Sequence, residues 1–390
     1  MNVKAYIDWI VEQALPVWST WGFDSAGGRF RERLDHRGAP VPVPHRAMVQ
    51  ARQIYVFAHA ARLGWFPAGG ALAEAAMAGL MRDFRADADG CTSFHFSIDP
   101  ASGAAVSIVR DAYAHAFVLF SIAALYGLNG DAGLLDVADR TVRFIDTTLA
   151  DSTHGGLFDA VPAQTRDKRQ NPHMHLLEAY LFLERAAPGR GYIERAAGLV
   201  ALFDRHMFKA DRAALLEYFE ADWSPHADPV RGTVFEPGHH FEWVWLLEEY
   251  GRASGVDVTR WIGPLFDTAA ANGLAGTGLV FDELAADDRR VLKRSHRVWP
   301  HTEAIKAAVA RSRSGDVDAA ALADRMAEVL LTRFLDRPFA GGWIDHIDVD
   351  GAPLVDYVPA SSLYHLFLAA AEADTTFNVE PHRAVESVHG

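Results

Sequence analysis

The stretch Glu236-Pro237-Gly238-His239-His240-Phe241-Glu242-Trp243 brings an imidazole, a carboxylate and an indole onto one helical face, because His239 stands three residues from Glu242 and four from Trp243. Pro tolerates its missing N–H only in a helix's first turn, so this polar group sits at a helix start. Histidines near their ordinary pKa both take and give a proton around neutrality, and a pair of them suits proton transfer at a carbon beside a carbonyl. His365 and His175 stand in comparable stretches, and Arg52 and Asn171 supply donors that can hold oxygens. Taking the C2 proton of an open-chain aldose gives an enediolate whose oxygens need such donors in place beforehand. Returning the proton to C1 gives a ketose; returning it to the opposite face of C2 gives the epimer.

Blander readings compete for several of these residues. His173, His240 and His301 are adjacent to better-placed neighbours and suit structural roles, and Asp111 suits an N-cap. Trp243 and Trp245 read as core, whereas Trp299, at a helix start, can stack on a sugar ring. Glu178, Glu242 and Glu303 can orient imidazoles. His175/Glu178 and His239/Glu242 also have a spacing that metal sites use, but no H-E-x-x-H accompanies them and no metal is expected. Neither a phosphate-cradling G-x-x-x-x-G-K-[ST] nor a G-x-S-x-G nucleophile elbow occurs.

The elements that position these residues repeat. Glycine-marked, aromatic-rich segments recur at Gly27-Gly28-Arg29-Phe30, Gly90 to Phe94, Gly155-Gly156-Leu157-Phe158, Leu216 to Phe219, Gly278 to Phe281 and Gly341-Gly342-Trp343-Ile344, about 60 to 65 residues apart. The first and last share a following Asp-x-x-Gly-Ala-Pro, Asp35 to Pro40 and Asp348 to Pro353, which reads as a hairpin turn. Between them the periodicity is helical and alternates in character. One-faced stripes predict outer helices near 3–18, 70–85, 132–149, 190–207, 256–272 and 316–335. Helices apolar on nearly every side are predicted near 45–63, 110–127, 170–186, 238–251, 299–313 and 360–372. Strict alternation in six repeats predicts one all-α domain over 1–390, an (α/α)6 barrel with hairpin-bearing loops on one face; an open solenoid is the alternative. The inner helices then start on one face. That face gathers Arg52, then Asp111 and His115, then Asn171, His173 and His175, then His239 and Glu242, then Trp299, His301 and Glu303, then Ser361, Ser362 and His365.

A net charge of -14 without a long basic run argues against nucleic acid and anionic membranes. The single cysteine, Cys91, excludes an internal disulfide framework. No N-terminal signal pattern and no run near the ~20 apolar residues of a bilayer span are read, so a cytoplasmic monomer or homodimer is expected. The segment 381–390 is expected to be a frayed tail.

With these residues assembled, the chain resembles the N-acylglucosamine 2-epimerase superfamily. The resemblance rests on Gln50-Ala51-Arg52-Gln53, Asp111 to Phe117, Asn171-Pro172-His173-Met174-His175-Leu176-Leu177-Glu178, Glu236 to Trp243, Arg297-Val298-Trp299-Pro300-His301-Thr302-Glu303, and Ser361-Ser362-Leu363-Tyr364-His365. It implies an (α/α)6 barrel, no cofactor and no metal. It also implies His239 and His365 as the acid–base pair, with Arg52, Asn171, His175, Glu242, Trp299, His115 and Glu303 in substrate binding. The expected reaction is isomerisation of D-mannose to D-fructose, and of D-lyxose to D-xylulose, through a cis-enediolate; a sugar 2-epimerase is the alternative. Two readings from other classes are a glycoside hydrolase using two carboxylates and a sugar-binding protein without turnover.

Overall fold

The computed structural model describes residues 2–377, so the expected tail over 381–390 lies outside the described residues. Among the described residues six outer and six inner helices alternate. The inner ones are Ala47–Arg62, Ala112–Asn129, Gln170–Ala186, Pro237–Ser254, Trp299–Arg313 and Leu363–Phe377. Each inner helix packs on the next, and the sixth packs back on the first, which closes the ring and rules out the open solenoid. The outer helices begin at Asn2, Gly69, Ala132, Tyr192, Thr259 and Ala319, and the first packs against both the sixth inner and the sixth outer helix.

Burial explains the alternation in sequence character. The second inner helix, Ala112–Asn129, is long and apolar enough to cross a membrane by composition, contrary to the sequence expectation; here it is buried between its two inner neighbours. The neighbouring outer helix, Ala132–Phe144, buries Leu134, Leu135, Val137, Ala138 and Val142 and leaves its other face to water. Four outer helices contain or end in a π-turn, at Ile10–Ala14, Ile145–Leu149, Phe203–Met207 and Leu330–Phe334, a local widening that an apolar stripe does not announce.

Short antiparallel pairings stitch the loops together on the face where the inner helices start. His45–Arg46 pairs with Ser97–Ile98, Arg110–Asp111 with Ala160–Val161, and Lys168–Arg169 with Tyr218–Phe219. Val234–Phe235 pairs with Glu283–Ala285, and His296–Arg297 with His346–Ile347. Tyr357–Pro359 returns to Arg33–Asp35, so this ring of pairings also closes. The two Asp-x-x-Gly-Ala-Pro turns are built alike: Asp35 and Asp348 each accept two backbone N–H groups, and Gly38 and Gly351 take left-handed φ values of 83° and 86°.

One repeated contact locks each loop to its helix. At the fourth position of the first helix stands Gln50, which accepts from the N–H of Phe30 and donates to its carbonyl. At the equivalent place in the next four repeats a histidine does the same work. Nε2 of His115, His173, His240 and His301 accepts from the N–H of Phe94, Leu157, Leu215 and Val280, at 2.9 to 3.0 Å. Burial pushes these imidazoles down, to about 4 for His115 and His173 and about 3 for His240 and His301, which keeps the accepting lone pair free of a proton. The substrate-binding role expected of His115 is therefore corrected: both its nitrogens are committed, to Phe94 N–H and to the Asp111 carbonyl, and it does not line the cavity described next.

Candidate active site

Two residues beyond the five anchors stand Arg52, Phe117, His175, Glu242 and Glu303, with His365 near the start of the sixth helix, and they meet across the ring: Arg52 on Phe117, Phe117 on His175, His175 on Glu242, and Glu303 on His365. A cavity of about 270 Å³ at this end is lined by Arg52, Tyr113, Asn171, His175, Glu236, His239, Glu242, Arg297, Trp299, Asp345, Ser361, Ser362 and His365. Of the residues singled out from sequence, Arg52, Asn171, His175, His239, Glu242, Trp299 and His365 come together here. Glu303 lies one layer behind, against His365, and His115 lies outside.

The two imidazoles differ in their support. Nδ1 of His239 faces Glu217 Oε2 at 3.0 Å and Glu236 Oε2 at 3.9 Å. Burial alone would lower this histidine, but Glu217, Glu236 and Glu242 outweigh it and lift its pKa to about 9, so it is an imidazolium at neutral pH. Its Nε2 lies 3.3 Å from the side-chain amide of Asn171, whose Oδ1 otherwise has no partner among the described residues. Turning that amide over places Oδ1 against Nε2–H. His365 donates from Nδ1 to Glu303 Oε1 at 2.7 Å, which leaves its Nε2 lone pair for the cavity. Burial, then the charges of Arg52 and Lys306, hold His365 well below the usual imidazole range. Of this pair, His239 is therefore cationic and His365 neutral. Trp299 lies between them, with ring centroids 5.0 Å from His239 and 5.6 Å from His365. Gly238 makes room for the indole: a Cβ there would fall 2.6 Å from the Trp299 ring.

The remaining walls supply oxygen-binding groups. Arg52 is pinned by Tyr113 Oη and, at 3.1 Å, by the Ser361 carbonyl, and its guanidinium lies 4.1 Å from the centre of the Phe117 ring. His175 donates to Glu178 Oε2 at 3.1 Å and is pushed down to about 4, with burial the main cause, so it too is neutral. Neither Glu242 oxygen has a hydrogen-bond partner among the described residues; burial, then the neighbouring Glu303, raises its pKa.

Three imidazole–carboxylate groups are compact enough to suggest metal binding, but in each of them most donors are already engaged, Glu242 being the carboxylate whose oxygens accept no hydrogen bond among the described residues. His239 Nδ1 points its proton at Glu217 while Arg297 holds Glu236 at 2.6 Å; His175 and Tyr364 occupy Glu178; and the Lys306 ammonium pairs with Glu303 at 2.6 Å. We assign no metal ligand among them.

Sequence reasoning missed Tyr113, Glu217 and Lys306. A signal for Glu217 exists in the repeats. Two residues after the anchored apolar residue comes an acid in five of the six units: Glu32, Asp159, Glu217, Asp282 and Asp345. In the first, third and fifth units it pairs with the arginine that precedes the inner helix, Arg46, Arg169 and Arg297. In the fourth unit that arginine is replaced by Glu236, and Glu217 turns to His239 instead.

Comparison with known proteins gives the class to which this closed double ring of helices, with its imidazole pair and fixed donors at one mouth, belongs. The N-acylglucosamine 2-epimerase (GlcNAc 2-epimerase) family model matches residues 28–369, and the chain belongs to that family. It is 31% identical over 377 residues to the mannose-6-phosphate isomerase of Rhizobium meliloti (strain 1021), covering 94% of this chain and 95% of that protein. It is 31% identical over 307 residues to the D-mannose isomerase of Thermobifida fusca, covering 73% of each. The solved cellobiose 2-epimerase from Bacillus thermoamylovorans B4167 superposes with a TM-score of 0.85 at 19% identity, covering 97% of this chain and all of that one, a likeness of fold. The protein is accordingly a sugar isomerase or epimerase with an (α/α)6 barrel.

Proposed function

We propose that the protein is an aldose–ketose isomerase that interconverts D-mannose and D-fructose through a cis-enediolate. The observation that carries this reading is the unequal imidazole pair, neutral His365 and cationic His239, on either side of Trp299. Nε2 of His365 takes the C2 proton of the open-chain aldose. Nε2–H of His239 gives its proton to O1 as the carbonyl electrons move onto that oxygen, so the nascent enediolate is taken up as the neutral enediol. His365 then returns its proton to C1 while the O2 hydroxyl gives its proton back to His239, so protons and charge balance over the cycle. Arg52 and Asn171 hold the oxygens during the transfer, and charge-assisted donors fixed beforehand lower the barrier without reorganising.

An unmodified sugar fits the arrangement of cations. A neighbouring groove of about 530 Å³ shares Asp345 and Ser361 with the site and carries Arg33 and Arg46. Arg46 is committed to Glu32, and Arg33 lies over the Tyr357 ring at 4.4 Å. The same groove favours, as a second reading, 2-epimerisation of a longer sugar whose far ring occupies it. Proton NMR of chelator-treated protein with D-mannose in heavy water tests the proposal. Fructose is the expected product; glucose deuterated at C2 without fructose supports the epimerase, and turnover of mannose 6-phosphate alone places a phosphate in the groove.

A further inference from the structure

Beneath the cavity a lysine sits where few lysines can. Lys306, on the fifth inner helix, is fully buried, does not itself line the cavity, and lies 4.2 Å from the centre of the Trp245 ring. The groups that face it come from every helix around it. They are Glu303 on its own helix, Glu242 on the fourth, Glu178 on the third and His365 on the sixth, while Tyr364 on the sixth and Tyr6 on the first outer helix face the carboxylates. Three carboxylates and one ammonium are thus enclosed together, which is costly unless each charge is matched. Glu178 is matched by His175 Nδ1–H and Tyr364 Oη–H and Glu303 by Lys306 at 2.6 Å, whereas the Glu242 oxygens accept no hydrogen bond among the described residues, His175 Nδ1 standing 3.9 Å from Oε1.

The ion pair has a consequence for His365. Glu303 grips Nδ1–H of His365 with Oε1 and Lys306 with Oε2. A buried carboxylate alone would favour an imidazolium beside it, as Glu217 does for His239. We propose that Lys306 is a positioning residue for the isomerase reaction: it neutralises Glu303, so that Glu303 orients His365 while His365 remains the free base. The inference rests on the proton-transfer reading of the site. It sets apart the two carboxylates that hold the imidazoles: Glu303, behind His365, is paired with Lys306, whereas Glu217, behind His239, has no Lys or Arg ion pair among the described residues. Arg52 also bears on His365, but from the cavity side, and it is unchanged by substitution at 306.

The test is the pH profile of kcat/KM for Lys306→Met and Lys306→Arg, together with ¹⁵N-histidine NMR of the wild-type protein, His365 being assigned by its loss in His365→Asn. A neutral His365 signal at pH 7 is expected in the wild type. In Lys306→Met the low-pH limb should move upward by at least about one unit, a tenfold change in the His365 equilibrium. Turnover at pH 6 should then fall while KM stays within about threefold, and Lys306→Arg should return the limb toward its wild-type position. A Met variant that keeps the wild-type limb overturns the proposal, because a lysine that only fills space moves stability and leaves the profile alone. An imidazolium at His365 in the wild type overturns it as well, and that arm decides if the Met variant does not fold. The NMR arm needs no turnover, so absence of isomerase activity would refute the reaction and leave the charge arrangement to be judged separately.

Discussion

Glu217→Gln isolates the charge that makes His239 an acid. The amide is nearly isosteric and still offers an oxygen to His239 Nδ1–H, but it removes the negative charge 3.0 Å away. Glu236 remains at 3.9 Å, already paired with Arg297, while burial continues to pull the imidazole down. The loss is taken as about 1.5 pKa units, roughly 2 kcal/mol, which would bring His239 from about 9 toward ~7.5. The sign follows from the role: an acid must be protonated, so activity is present below its pKa and lost above it. At pH 8 the protonated fraction falls from about 0.9 to about 0.24, a roughly fourfold loss in kcat/KM; at pH 6 the loss is under about 5%. The new NH₂ also meets the Glu236 N–H, where Oε1 accepts at 3.3 Å, at a stability cost of about 1 kcal/mol. Initial rates of mannose isomerisation from pH 5.5 to 10, alongside thermal melts, measure both effects. An alkaline limb that stays in place would show that Glu217 does not charge His239, and a uniform loss at all pH values would make it an orienting group only.

Three further outcomes are expected. His365→Asn should lower kcat about 10²- to 10⁴-fold with little change in KM, measured by coupled fructose detection. His115→Gln should be tolerated, since Gln50 makes the same contact in the first repeat, whereas His115→Leu should cost about 1–3 kcal/mol in denaturant unfolding by orphaning the Phe94 N–H, with activity per folded molecule unchanged. Gly238→Ala should displace Trp299, since its Cβ would come within 2.6 Å of the ring, and should lower kcat/KM more than stability.

The barrel was legible because one physical rule operates six times. An inner helix wrapped by neighbours must be apolar all round and an outer one only on a stripe, so alternating hydrophobicity carries the architecture. The same repetition separates the histidines when it is followed at single-residue resolution. At the anchoring position a histidine meets a backbone N–H and is held neutral, as His173, His240 and His301 were expected to be in structural roles; His115 shares that position and was assigned otherwise. Two residues later the same helices turn to the cavity, and there His175 belongs; His365 reaches the cavity from the sixth helix, which carries no anchoring histidine. His239 falls at neither place. It precedes an anchor by one residue and becomes useful because the fourth repeat replaces an arginine by Glu236, which releases Glu217 from the pairing that Glu32, Asp159 and Asp282 keep. Lys306 stayed hidden for the opposite reason: no other repeat supplies a template for a cation in that layer, and three glutamates from three separate helices give it meaning only once the ring is closed. The repeat thus builds the barrel where its units agree, and it builds the unequal imidazole pair where the fourth, fifth and sixth units depart from the others.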